Sequence, residues 1–215
     1  MYIKYNMIES LDFIKEILQH LNYFWVTVLM AIESSFIPFP SEVVVPPAAY
    51  RAANGELNVF LVVLWATIGC DLGALVNYYL AKYLGRPVVY RFAASRLGRL
   101  CLLSPEKVEK AEQYFVENGA TSTLIGRLIP GIRQLISIPA GLSGMPLGPF
   151  LLYTTLGALA WNTVLAIVGY LLGHAVPIDK LNEAVLHYTK PIGYAISVLV
   201  LLGVGVHFLL KKRKK

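Results

Sequence analysis

From Gln134 to Ile178 the chain runs for 45 residues without a single Asp, Glu, Lys or Arg. About 20 apolar residues suffice to carry a helix across the hydrocarbon core of a bilayer. A chargeless run of this length therefore places much of the chain in the membrane. Composition agrees: charged residues make up 15% and hydrophobic ones 56%, with a mean hydropathy of +0.59. Soluble domains carry roughly 25% charged residues. A soluble enzyme, a disordered chain and a DNA-binding domain are excluded together.

Further gaps define further spans. Ile17–Ile32 carries no formal charge, Leu57–Ala81 is interrupted only by Asp71, and Pro191–Leu210 runs directly into Lys211-Lys212-Arg213-Lys214-Lys215. The net charge of +6 thus belongs to membrane orientation and lipid head groups rather than to nucleic acid. Cys70 and Cys101 form no disulfide framework, and no removable signal peptide is apparent.

Two stretches resist reading as spans. Glu33-Ser-Ser-Phe-Ile-Pro38-Phe-Pro40-Ser-Glu42-Val-Val-Val-Pro46-Pro47 is broken by prolines and carries two acids. Gly126-Arg127-Leu-Ile-Pro130-Gly131-Ile-Arg133 continues to Pro139-Ala-Gly141 with the same grammar, arginines standing where the first has glutamates. Irregular backbone at membrane depth persists only inside protein or along a wet cavity. Both stretches, near 33–50 and 124–142, are expected to be re-entrant hairpins broken at Pro38, Pro40, Pro130 and Gly131.

Parity orients them. With the basic tail inside, the loop Lys82–Glu117, holding seven basic and four acidic residues, also falls inside. The expected fold is an all-α polytopic membrane protein of one domain, with four spans and two oppositely oriented hairpins in an inverted repeat. An N-terminal amphipathic segment covers 1–16, the core 17–175, the last span 191–210 and a basic tail 211–215. Ser104–Asn118 is expected to be an amphipathic helix on the cytoplasmic face, with Val108, Ala111 and Phe115 on one side and Gly119 closing it.

Ionisable residues at membrane depth cost about 2.5–3.5 kcal/mol each on insertion scales and mark transport paths or paired sites. Glu33, Glu42, Arg127 and Arg133 are such residues, either as functional groups or as ion pairs joining two hairpins. Arg127 and Arg133 would point about 240° apart on one continuous helix. The Pro130-Gly131 break lets both turn to one site. Arginine's rigid fork suits phosphate oxygens, and a partly buried glutamate takes up protons. Asp71, with Asn77 as a supporting polar group, reads equally as functional or as one polar contact on a small-residue face with Gly69 and Gly73. The four histidines show no metal spacing, and no cofactor or enzyme motif appears.

The pattern Glu33…Pro38-x-Pro40-Ser-Glu42, Gly69-x3-Gly73-x3-Asn77-Tyr78-Tyr79, and Arg127-x2-Pro130-x2-Arg133-x6-Ala140-Gly141, followed by Gly157, Trp161, Gly169 and Gly173, resembles the DedA membrane proteins. Their eukaryotic relatives share the VTT or SNARE-associated Golgi domain. The resemblance implies a bacterial cytoplasmic-membrane flippase for undecaprenyl phosphate or a phospholipid, coupled to protons or another ion. It assigns Arg127 and Arg133 to the substrate phosphate, and Glu33 and Glu42 to coupling. Ser41 stands where many members have Gly. The competing readings are a proton- or sodium-coupled exporter of small cations and a non-transporting scaffold. A homo-oligomer fits any of them, with no nucleic-acid partner. Both termini are expected in the cytoplasm. Cysteine labelling checks the topology: Tyr50→Cys should react from outside and Ser143→Cys from inside, and the reverse pattern contradicts re-entry.

Overall fold

The computed structural model of the chain describes residues 20–35, 40–95, 104–129, 132–177 and 180–213. Among them are eight α-helices and no strand: α1 Tyr23–Glu33, α2 Val45–Ala53, α3 Val59–Leu80, α4 Arg86–Ala94, α5 Pro105–Leu128, α6 Ser137–Leu142, α7 Leu147–Leu172 and α8 Leu181–Arg213. A 3-10 turn, Ser41–Val43, precedes α2, and a π turn, Ala81–Gly85, joins α3 to α4. Asn22 starts α1 by accepting the Trp25 amide at 3.0 Å. Asn58 starts α3 in the same way, accepting from Phe60 and Leu61 at 2.9 and 3.3 Å.

The stretch Val59–Phe92 and helix α7 are long and apolar enough to cross a bilayer. The 11 residues of α1 cover only about 16 Å at 1.5 Å per residue. The expected span Ile17–Ile32 thus begins outside the described residues, as does the segment 1–16. Pro38, Pro130 and Gly131 also lie outside them. On either side of these positions α1 and α5 end, and short helices resume at Val45 and Ser137.

Two expected boundaries move. Helix continues past Ala81 to Ala94, so Lys82, Arg86 and Arg91 sit on helix rather than in a loop. Pro87 lacks the amide to bond one turn back, and the wider π turn before it absorbs the clash of its ring. Long basic side chains extend their heads from such a helix toward water. At Asn118 the backbone leaves helical angles (φ −128°, ψ 18°), where the amphipathic helix was expected to end, and a second helical stretch carries α5 on to Leu128. At Gly119 the backbone approaches the Met145 side chain, where a Cβ would stand 3.1 Å from the sulfur. Helix α8 starts at Leu181, ten residues before Pro191, which lies inside it.

The long helices act as platforms. α1 lies against α3, α5 against α7, and α3 against α7. Each short helix after a break crosses over: α2 packs on α7, and α6 packs on α3. Glycines make the approach possible. A Cβ on Gly73 would collide with the Ala31 carbonyl and Ser34, and one on Gly157 with Arg127. Gly169 similarly admits the backbone of Pro46. Packing of small residues substitutes for the hydrophobic effect where the solvent is lipid. Apolar cores fill the rest, with Val26, Met30, Val45, Ala66 and Leu165 at one end and Tyr78, Ile136 and Phe150 at the other.

Gly73→Leu should therefore part α1 from α3, at the overpacking cost of about 1–3 kcal/mol or more. Gly148→Leu, which meets open space, should be neutral. Thermal unfolding of the purified protein in detergent checks this, and equal Tm values for the two variants contradict the packing.

Candidate functional site

Glu33 is the last residue of α1, where unpaired helix carbonyls make a poor environment for a carboxylate. It is only 3% exposed. Its compensation comes from 100 residues away: Arg133 Nη2 donates to Glu33 Oε1 at 2.7 Å. The same Nη2 donates to the Ser41 hydroxyl on the 3-10 turn. Gln134 Nε2 donates to Glu33 Oε1 at 3.3 Å. The Arg133 guanidinium lies over the Trp161 ring of α7, 5.2 Å from its centroid, a cation–π contact. The two broken segments thus meet through one ion pair.

Arg127 takes a different place. It is 4% exposed, and its guanidinium donates from Nη1 to Ser34 Oγ at 3.1 Å and from Nη2 to Ser137 Oγ at 2.9 Å. Its Nε is buried without a hydrogen-bond partner among the described residues. Ser34 caps the end of α1 and Ser137 opens α6, so Arg127 also bridges the two breaks. Asn77 of α3 completes the tie: its Nδ2 donates to the backbone carbonyls of Ser34 at 3.2 Å and Gln134 at 3.3 Å. One side-chain amide therefore serves non-helical carbonyls of both segments, which would otherwise be costly away from water.

The remaining expected site residues stand apart. Glu42 is half-buried on the 3-10 turn and forms no ion pair among the described residues. Pro40 precedes that turn with extended backbone. Asp71 faces α7, where Thr155 Oγ1 lies 2.8 Å from Asp71 Oδ2 and 2.8 Å from the Leu151 carbonyl. Asp71 Oδ1 is buried with no partner among the described residues. Among those residues no group of three His, Cys, Asp or Glu stands where it could hold a metal.

Ser34, Ser137, Gln134 and Thr155 were not among the expected site residues. Ser34 follows Glu33 directly, and Gln134 is the lone amide opening the chargeless run. Those are weak signals, because a serine in an apolar helix normally bonds its own backbone. Ser41 did stand out as a departure from glycine, and its hydroxyl is what the Arg133 fork meets.

An all-helical membrane protein is thereby defined, with two interrupted helices joined by a buried Arg–Glu pair. The chain belongs to the VTT domain family (the DedA family), whose domain matches residues 39–171. It is 40% identical over 162 residues to an "alkaline phosphatase-like protein" of Lactococcus lactis subsp. cremoris, covering 75% of this chain and 76% of that one. Identity is 36% over 200 residues to the Bacillus subtilis uncharacterized membrane protein YkoX, covering 93% and 84%. It is 28% over 174 residues to the Bacillus subtilis undecaprenyl phosphate transporter A, covering 81% and 82%. No solved structure matches the chain.

Breaking a buried ion pair by removing one partner costs about 3–5 kcal/mol, because the other charge is left uncompensated. Glu33→Gln and Arg133→Gln should each destabilise to that order, and the double variant by clearly less than their sum. Unfolding in detergent measures the cycle. Additive losses would mean that the pair carries no coupling.

Proposed function

We propose that this chain is a flippase that moves a lipid phosphate, undecaprenyl phosphate or a phospholipid, across the bacterial cytoplasmic membrane, with proton coupling. The observation that supports it is the Arg133–Glu33 pair, which sits where the two breaks meet in a protein otherwise built for lipid. Membership of the family and the transporter relative support the substrate class. The crossed packing of α2 on α7 and α6 on α3 supports an inverted repeat whose halves rock about this centre.

In this reading Arg133 is the phosphate ligand. Its side chain is 11% exposed, whereas Arg127 is sealed between two serines. The lipid phosphate competes with Glu33 for the Arg133 fork, and a proton on Glu33 would free the fork by removing its rival charge. Arg127 supplies a fixed positive field and holds the breaks together. The two arginines thus divide the work instead of clamping one phosphate side by side. A groove of about 820 Å³ between α3 and α7, lined by Phe60, Leu64, Leu159, Thr163, Ile167 and Leu171, would take the lipid's hydrocarbon tail.

The test is translocation of labelled undecaprenyl phosphate and of phospholipid in reconstituted vesicles, with protein level matched. Arg133→Lys keeps charge but loses the fork. It should slow transport at least about tenfold, as the loss of a charge-assisted bond of 1.5–3 kcal/mol implies. Wild-type rates from Arg133→Ala would remove Arg133 from the site. Release of inorganic phosphate from the same lipid, without translocation, would favour the hydrolytic chemistry in the name of the Lactococcus relative.

A further inference from the structure

Between α3 and α7 an otherwise apolar contact carries a polar seam. Asn162 Nδ2 donates to Thr67 Oγ1 at 3.3 Å and to Cys70 Sγ at 3.8 Å. Beside it, Thr155 meets Asp71. Asp71 stands mid-way along a helix long and apolar enough to cross a bilayer, so its charge state matters more than at a surface.

Counting hydrogens leaves two arrangements for this contact. A threonine hydroxyl has one hydrogen to give and two lone pairs to accept with. Thr155 Oγ1 is 2.8 Å from the Leu151 carbonyl, an acceptor only, and 2.8 Å from Asp71 Oδ2. If its hydrogen goes to Leu151, one turn back on its own helix, the second contact is a hydrogen bond only when Asp71 is the donor. An ionised Asp71 would take the Thr155 hydrogen itself, at the cost of holding its charge at membrane depth. It would also leave Oδ1 charged, buried and unpartnered.

The charged groups on the neighbouring elements are otherwise engaged. Glu33 of α1 pairs with Arg133, Arg51 of α2 with Glu56, and Lys82 of the π turn lies over the Tyr78 ring. Arg127 of α5 is close enough to act on Asp71 but binds Ser34 and Ser137. Helices α6 and α7 have no charged residue.

We propose that Asp71 is the proton-carrying acid of this transporter, holding the proton in the arrangement seen here and donating it to Thr155. The inference rests on the lipid-carrier reading for what the proton drives. On release the proton leaves to water, and the Thr155 hydrogen turns from Leu151 to the new carboxylate. The same oxygen–oxygen contact is therefore a hydrogen bond in both states. Release leaves a bare negative charge facing Arg127, whose Nε is free of partners among the described residues. That charge draws Arg127 from Ser34 and Ser137 and loosens the bridge between the breaks. Glu33 remains the gate on the Arg133 fork, and Asp71 is the proton store.

Two measurements on the full chain test this. In vesicles, the ratio of lipid-transport rates with and without an imposed pH gradient should be well above one for wild type and fall to about one for Asp71→Asn. Asn keeps the shape and hydrogen-bonding reach of Asp, and its Tm is checked alongside. An unchanged ratio in Asp71→Asn, or a wild-type response to a sodium gradient instead of a pH gradient, overturns the proposal. Independently of transport, a lipophilic carbodiimide, which reacts with protonated carboxyls in apolar surroundings, should form an adduct at Asp71 that peptide mass spectrometry locates. The adduct should diminish as pH rises. Its absence at every pH overturns the proposal, whereas an adduct without any lipid movement retains the protonated acid and sinks only the lipid-carrier reading.

Discussion

Interrupting a helix in an apolar protein strips backbone carbonyls and amides of their partners, and lipid offers none in return. Everything unusual about this chain follows from how that deficit is met at two places at once. Asn77 reaches a carbonyl of each broken segment, and Arg127 reaches serines at the edge of each break. Buried polar groups of this kind are satisfied only if both segments are in place together. The two segments therefore meet at a shared polar centre.

The glycines serve the same end. Gly73 lets Ser34 come close enough to α3 for Asn77, two positions on from Leu75, to reach its carbonyl. Gly157 lets Arg127 lie flat on α7 with its guanidinium turned to the serines. Close helix packing and the polar centre are thus one arrangement. A larger residue at either position would displace the bridge as well as the helix.

Part of this was legible in advance. Prolines and glycines in apolar runs pointed to the segments on either side of which α1 and α5 end, although Pro38, Pro130 and Gly131 lie outside the described residues, and the cost of charge in lipid drew attention to Glu33, Arg127 and Arg133. Helix extents were less legible. Charge was read as the end of a helix at Lys82, although long basic side chains let helix persist beyond the apolar stretch. The break at Asn118 was legible, but not the second helical stretch that follows it to Leu128. Pro191 was read as the start of a span, yet α8 passes through it.

The amino-acid sequence by itself determined the solvent, the family and the expensive residues, because these depend on composition, spacing and the transfer cost of individual side chains. Only the tertiary structure decided which expensive residues meet. Arg133, not Arg127, takes Glu33; among the described residues Glu42 forms no ion pair, and Asp71 meets a threonine. Pairings across 84 to 101 residues are set by how helices cross, and helix crossing depends on where small residues let backbones touch. No local pattern encodes that, since a serine that caps a distant arginine looks in sequence like any other serine.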